Sequence, residues 1–569
     1  MEKINIEKTN KPFSQNVGAL IYKNAALIGV MYFLSRLLGI WRDRLLASRF
    51  GAGQTLDIYY SAFRVPDLIY GLLIAGSVSA AFIPLFVQKL NKDRQEGFNF
   101  AYSFLIVFAG ILSLLSVIGI FTSSFWARVV SPGFSPGNLE LLSKMMRIMF
   151  LSPIIMGLAA ILVGVLQSLN LFFAASLSPV VYNLGIIFGI MYLAPKYGMM
   201  GLALGVFLGA LLYILVLLPS IFRATNFNLI GGLKFSFDGV SNVFKLMIPT
   251  AIGFSANQIY FWVATSIASF LSVGSVAIFN LSNNMYALPL GVVAMSFAAA
   301  AFPVFSKLSA EGHMDDFLKT VEKVLMQVSL YVLPLAAFML VARNYLVKII
   351  LGAGIFSAEN IELVGASMAF FCFAVIADSF LTILARAFYA LRDMWKPTLV
   401  VVLGVVLDIL FSLLFLCWIR IYPISYEKLR ILLGIVLDID FRVVFLAAGF
   451  SLSSIITGIV IFYLFIKKFK NFNAQSFLKR FSKVCLAAFL GAIFGGAAIG
   501  KFPVFSAVNF WQAILITSVS FLLGALIYLL FLFLFSRQDF ILLFKSFPWP
   551  KFLRPTFLDP KTDTQEPFN

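Results

Sequence analysis

The sequence predicts an all-α polytopic membrane protein: about fourteen transmembrane helices, in two pseudo-symmetric six-helix halves followed by two additional C-terminal helices. Three observations carry this. The chain of 569 residues is 61% hydrophobic and 12% charged, with a mean hydropathy of +0.97, so runs long enough to span a bilayer recur along it. Lysine and arginine gather in short loops between those runs, as the positive-inside rule requires. Finally, two stretches of the first half return in the second at nearly one spacing.

Residues 1–18 are a polar, mixed-charge segment expected in the cytoplasm. They lead into a long apolar run rather than a short one with a small-residue cleavage site, so no signal peptide is expected. Spans are expected near 19–40, 57–88, 99–126, 145–168, 171–194 and 199–221, forming an N-terminal half over 19–221. A cytoplasmic linker, 222–244, precedes spans near 245–270, 275–305, 320–342, 362–390, 397–419 and 442–466, the C-terminal half over 245–466. A cytoplasmic basic loop (467–481) leads to two further spans near 482–500 and 511–536, and 537–569 is a cytoplasmic tail. "NYLVKIILGAGIF" (344–356) and "RILLGIVLDID" (430–440) are apolar but too short to span, which makes them interfacial pieces. Aromatic groups such as "YFW" (260–262) and "FLFLF" (531–535) are expected to face lipid or the interface.

Basic residues set the orientation. "KLNKDR" (89–94), "RAFYALRDMWK" (386–396), "KKFKNFNAQSFLKRFSK" (467–483) and the tail residues Arg537, Lys545, Lys551 and Arg554 all follow even-numbered spans, which places both termini in the cytoplasm. On this topology "SRLLGIWRDRLLASRFG" (35–51), with Arg36, Arg42, Arg44 and Arg49, falls on the outer side, against the rule. Arginines that defy the topology signal call for a functional explanation.

The repeat pairs "AAFIPLFVQKL" (80–90) with "AAAFPVFSKL" (299–308), setting Pro84 and Pro303 219 residues apart. It also pairs "LQSLNLFFAASLSPVV" (166–181) with "FYALRDMWKPTLVV" (388–401), setting Pro179 and Pro397 218 apart. Six spans per copy give both copies the same orientation. Parallel repeats of this kind are a transporter architecture.

Other chemistries find little support. Cys372, Cys417 and Cys485 are isolated, and His313, the single histidine, sits in the polar loop "SAEGHMDDF", so neither a disulfide framework nor a metal site is expected. No nucleotide-binding or hydrolase motif occurs, and no cofactor is expected. The net charge of +18 lies in inter-span loops, where it needs no nucleic acid to explain it.

Ionisable groups inside spans are the informative ones, because each costs about 2.5–3.5 kcal/mol at a helix centre and is tolerated mainly in a cavity or a pair. Arg36 and Asp43, seven apart, approach one face of the first helix if it continues. Asp57, Arg64 and Asp67 follow at i, i+7 and i+10, with Pro66 expected to break the helix between the last two. These read either as salt bridges that lock bent helices or as functional groups. Guanidinium at Arg36 and Arg42 suits bidentate binding of phosphate oxygens. Asp378 can pair with Arg386, eight residues on, or serve coupling to a cation or proton; Asp408, with no basic neighbour within two turns, leans to coupling.

"SRLLGIWRDRLLASRFGAG", "DIYYSAFRVPDL", "SAAFIPLF", "IPTAIGFSANQI", "LPLGVVAMSFAAAAFPVFSKLSAEG" and "RAFYALRDMWKP" resemble, in order, signature stretches of the MurJ or MviN family of lipid II flippases. That family belongs to the multidrug, oligosaccharidyl-lipid and polysaccharide exporter group. The resemblance covers about residues 18–466, and the two further spans also fit it. It implies a V-shaped fourteen-helix carrier with a cationic central cavity for the pyrophosphate and sugar head, and a groove lined partly by the last two spans for the polyprenyl tail. Alternating access would be driven by membrane potential or ion coupling. Its partners would be lipid II or a related polyprenyl-diphosphate glycolipid, membrane lipids, and a coupling cation or proton.

By this resemblance Arg36, Arg42 and Asp43 match the first-span motif, and Asp57 and Arg64 the second-span pattern. Departures stand at Tyr70 and Gly71, where the family has a basic pair, at Ala75, where it has an acid, and at Asn283 and Asn284, where it has an Asp-Arg pair. The expected substrate-binding set is therefore Arg36, Arg42, Asp43, Arg64, Tyr70 and Asn284. Asp57, Asp67 and Pro66 are expected in structural or gating roles, and Asp378 and Asp408 in ion coupling. The implied function is transfer of lipid-linked peptidoglycan precursor from the inner to the outer leaflet of the plasma membrane. The alternatives are export of lipid-linked polysaccharide units and cation-coupled drug antiport.

Overall fold

The computed structural model describes residues 13–73, 82–499 and 509–545. Among them every regular element is helical and no strand forms, as expected of a spanning chain whose backbone polar groups must be satisfied within each segment. Helix α1 covers Phe13–Phe50, α2 Gln54–Ala62, α3 Arg64–Leu73, α4 Ile83–Lys92, α5 Arg94–Phe121 and α6 Ser123–Val130. They are followed by α7 (Pro136–Met149), α8 (Leu151–Ser168), α9 (Phe172–Phe188), α10 (Ala194–Tyr197), α11 (Met199–Gly231) and α12 (Val240–Ala268). Next come α13 (Ser275–Pro289), α14 (Met295–Ala310), α15 (Met314–Val341), α16 (Arg343–Ile350), α17 (Ala358–Ala390) and α18 (Trp395–Ile421). The last are α19 (Pro423–Leu432), α20 (Val444–Lys468), α21 (Ala474–Ile499), α22 (Phe510–Phe535) and α23 (Arg537–Lys545).

Ten helical segments among the described residues are long and apolar enough to cross a membrane. The other segments expected to span are helical as well: α1, α12, α21 and the broken run α2 to α4. Ala75, the residues before Phe13 and the tail residues Lys551 and Arg554 lie outside the described residues. The two short apolar stretches form the brief helices α16 and α19, the second ending at Leu432, before most of its expected stretch.

The repeat is visible in the backbone. Helix α5 ends at Thr122 (φ −95, ψ 10) and gives way to the eight-residue α6. Helix α15 ends at Ala342 (φ −89, ψ 8) and gives way to the eight-residue α16, each boundary 220 residues after its counterpart. Among the described residues, the non-glycine positions with positive φ are Asn170 (60°) and Arg392 (59°), one before α9 and one before α18.

The chain packs as two compact units. Among the described residues, the first comprises those up to Leu46, Ser61–Val130 and Ser135–Gln258; the second comprises Ala47–Tyr60, Ser131–Phe134 and those from Ile259 onward. In the first unit, Phe82, Phe86, Phe100, Phe104 and Phe108 stack between α4 and α5. Helices α9 and α11 touch backbone to backbone: a Cβ on Gly185 would fall 2.4 Å from the Gly209 Cα. At the end of α4, Lys89 Nζ donates to Asp238 (2.6 Å) and Glu96 (2.9 Å). The ammonium's hydrogen bond and charge hold the Asp238 carboxyl below its ordinary range.

In the second unit, Tyr260, Phe279, Tyr286, Phe371 and Phe450 form an aromatic cluster. Tyr260 of the "YFW" group is thus a core residue at 2% exposure rather than a lipid-facing one. "FLFLF" behaves as expected at Phe533 and Leu534, 46% and 62% exposed. Helix α23 is tied down by Arg480, which donates to Asp539 (2.5 Å) and Glu322 (2.9 Å). Asp539 is fully buried, so this ion triad links α15, α21 and α23.

Candidate functional site

Helix α1 runs without interruption past the expected end of its span, so the opening arginines sit on helix and not in a loop. Their partners differ from those the spacing suggests. Arg36 Nε and Nη2 donate to the Tyr32 hydroxyl one turn earlier (3.2 and 2.9 Å), and its guanidinium lies 5.3 Å from that ring's centre. Asp43 accepts instead from its neighbour Arg42, through Nε (3.0 Å) and Nη2 (2.9 Å). Arg42 Nη1 also donates to Asn183 Oδ1 on α9 (3.2 Å), and Asn183 Nδ2 donates to Ser35 Oγ (3.2 Å) and to the Pro179 carbonyl (3.0 Å). Asp43 is buried at 7% exposure, whereas the Arg42 side chain keeps 24% of its surface. A guanidinium aimed by a buried acid and still open on one side can engage an anionic group.

The break in the second span lies one turn earlier than expected. Helix α2 stops at Ala62 and α3 begins at Arg64, so Pro66 falls inside α3. Proline lacks the N–H that would bond back to residue 62, and the chain reopens its helix there. Asp67 N–H bonds to the Phe63 carbonyl (2.7 Å), closing the first turn of the new helix. Arg64 is buried at 6% exposure and acts electrostatically on Asp67, one turn along. Asp57 pairs with neither of them. Its Oδ2 accepts from Gly274 N–H (2.6 Å) and its Oδ1 from Ala277 N–H (2.8 Å), so its carboxylate caps α13. Gly274, at φ 95°, makes room for this contact: a Cβ there would lie 2.2 Å from the Ala52 carbonyl oxygen.

Around α3 the first unit forms a half-open cavity of about 200 Å³ lined by Asp67, Tyr70, Met149, Ser152, Met156 and Tyr182, among others. The sequence singled out Asp67 and Tyr70; Ser152 and Tyr182, like Asn183, were hidden as isolated polar residues in apolar runs.

In the second unit Asn284 is half-buried on α13. Two residues on, the Tyr286 hydroxyl donates to Asp378 Oδ2 on α17, which also accepts from Ser454 Oγ on α20 (3.3 Å). The pair with Arg386, one of the two readings of Asp378, does not form; Arg386 lies 5.6 Å from the Phe302 ring centre instead. Asp408 on α18 is buried at 6% exposure, and its Oδ1 has no hydrogen-bond partner among the described residues. The two acids lie close enough to interact, with Ser453 beside Asp408. A separate apolar groove of about 380 Å³ runs along α15, α21 and α22, walled by Leu330, Pro334, Phe338, Phe521 and Leu529, with Leu543 and Phe544 of α23 also lining it.

A family model described as lipid II flippase MurJ matches residues 46–517, reaching into the last two long helices. A Burkholderia cenocepacia protein named lipid II flippase MurJ is 29% identical over 384 residues, 65% of this chain and 74% of that one. A Vibrio cholerae serotype O1 protein named probable lipid II flippase MurJ is 26% identical over 417 residues, 71% of this chain and 79% of that one. A solved structure of lipid II flippase MurJ in an inward closed conformation shares the fold, with a TM-score of 0.71 at 22% identity over 90% of this chain and 99% of that one. Bacterial relatives and, among the described residues, ten helices long and apolar enough to cross a membrane make this a multi-pass protein of the bacterial inner membrane. With the family model matching most of its length, the chain belongs to the lipid II flippase MurJ family.

Proposed function

We propose that the protein carries lipid II from the inner to the outer leaflet by alternating access, without covalent chemistry or nucleotide hydrolysis. The observation that carries this reading is the family match over 46–517. Two features support it. The apolar groove on α15, α21 and α22 offers a polyprenyl tail a wall of hydrocarbon, and the Arg42, Asp43 and Asn183 cluster offers the diphosphate a fixed guanidinium. Asp378, half-buried on α17, and Asp408, buried on α18, are the groups we assign to coupling with a cation or proton.

Expression in cells depleted of their own lipid II flippase should restore growth and cell shape; failure of a correctly inserted protein to do so would end this reading. In the same assay Asp378→Asn and Asp408→Asn should each cut rescue strongly, and rescue at the unsubstituted level would remove both acids from the coupling role. Both termini are assigned to the cytoplasm. Accordingly, an impermeant thiol reagent added outside should modify Tyr197→Cys and spare Lys470→Cys; labelling of Lys470→Cys from outside would invert the topology.

A further inference from the structure

We propose that the cavity beside Pro66 receives an ammonium group, with Asp67 as its counter-charge and Tyr70 and Tyr182 as its aromatic walls. The proposal deepens the lipid II reading and rests on it for the identity of the molecule that bears the amine.

Among the described residues the Asp67 carboxylate makes no hydrogen bond or ion pair; Arg64 acts on it only through space. A half-buried carboxylate that no donor meets is costly to desolvate, and a positive ligand would complete it. A second observation points the same way. Ser152, 8% exposed, lines the cavity, and its Oγ has no hydrogen-bond partner among the described residues. An ammonium brings three donors and no acceptor, so it can satisfy a carboxylate and a hydroxyl oxygen together. Two tyrosines suit a cation, because the face of an aromatic ring attracts positive charge. The thioethers of Met149 and Met156 add soft, polarisable contact.

Size and sign narrow the ligand. At about 200 Å³ the cavity falls below the range of about 300–1,000 Å³ found for sites that hold a whole drug-sized ligand, so it takes one group of a larger molecule. Asp67 repels a phosphate, so the anionic part of the same molecule must bind elsewhere. Arg42 is placed for that role, since it donates to Asn183, the residue after the cavity-lining Tyr182. The arrangement therefore fits a cargo that bears both a phosphate and an amine, such as a diphosphate-linked glycan whose peptide carries a lysine-type side chain.

The test begins without lipid. In the full-length protein carrying Ser152→Cys, alkylation at residue 152 is followed by mass spectrometry with butylammonium, with butanol or with sodium chloride present. Butylammonium should slow the reaction at least about fivefold, butanol and sodium should not, and Asp67→Asn should erase the protection while Asp67→Glu keeps part of it. Equal effects of amine and alcohol, protection by sodium alone, protection that survives Asp67→Asn, or no protection at all would each overturn the proposal. Binding in nanodiscs is then compared for lipid II with a free lysine amine and for the same lipid with that amine acetylated. The free amine should bind about tenfold or more tightly in the unsubstituted protein and with equal affinity in Asp67→Asn. Equal affinities in the unsubstituted protein would overturn the assignment of the amine to the cargo. If butylammonium protects yet neither lipid binds, the pocket stands and lipid II is not its source.

Discussion

Arg42→Ala is expected to abolish rescue of flippase-depleted cells while the protein remains inserted and folded. The Arg42 guanidinium is held in place and keeps 24% of its side-chain surface. Asp43 fixes one edge of its guanidinium at 2.9 and 3.0 Å, and Asn183 takes Nη1 at 3.2 Å. Its removal takes away a charge-assisted contact worth about 1.5–3 kcal/mol, or roughly ten- to a hundredfold in affinity for a diphosphate lipid. Arg42→Lys keeps the charge but loses the planar fork, and should fall between the two. Arg36→Ala is expected to reduce transport as well, by removing the cation that packs on Tyr32. Lipid binding in nanodiscs, read beside surface expression, separates loss of affinity from loss of protein. Unchanged binding by Arg42→Ala would reduce the cluster to an interfacial anchor.

Asp57→Ala should lower unfolding stability by roughly 2–4 kcal/mol, the largest effect expected of any one side chain here on the fold. The carboxylate is 4% exposed and accepts two backbone amides at the start of α13. Truncation leaves those donors buried with nothing to bond, and withdraws a negative charge from the positive end of a helix. Asp57→Asn should lose less, because one oxygen survives while an NH₂ group is forced against an amide. Since α13 carries Asn284 and Tyr286, transport should suffer with stability. A denaturation midpoint unchanged in Asp57→Ala would contradict this account of the residue.

Asp57 also shows where sequence reading stops. An acid and an arginine at helical spacing suggested a salt bridge, but its real partners are main-chain amides more than 200 residues away, and a backbone N–H leaves no mark in residue identity. Asn183, Tyr182 and Ser152 escaped for a related reason: a lone polar residue in an apolar run looks alike whether it faces a cavity or bonds its own helix. Apolar runs, by contrast, were legible because bilayer thickness sets their length, and the recurring proline segments exposed the duplication. Pro66 was rightly read as a breaker but set at the wrong bond, because the lost hydrogen bond falls one turn before the ring.

The matched boundaries at Thr122 and Ala342, with short helices of equal length behind them, carry a consequence about descent. Two copies of one ancestral segment have drifted until serine stands opposite arginine at the next position, yet neither has gained or lost a residue between the start of the long helix and its end. Within that segment length is kept while side chains differ. Such duplicates are free to diverge: the first carries Arg42 against the buried Asp43, and the second carries the buried Asp408.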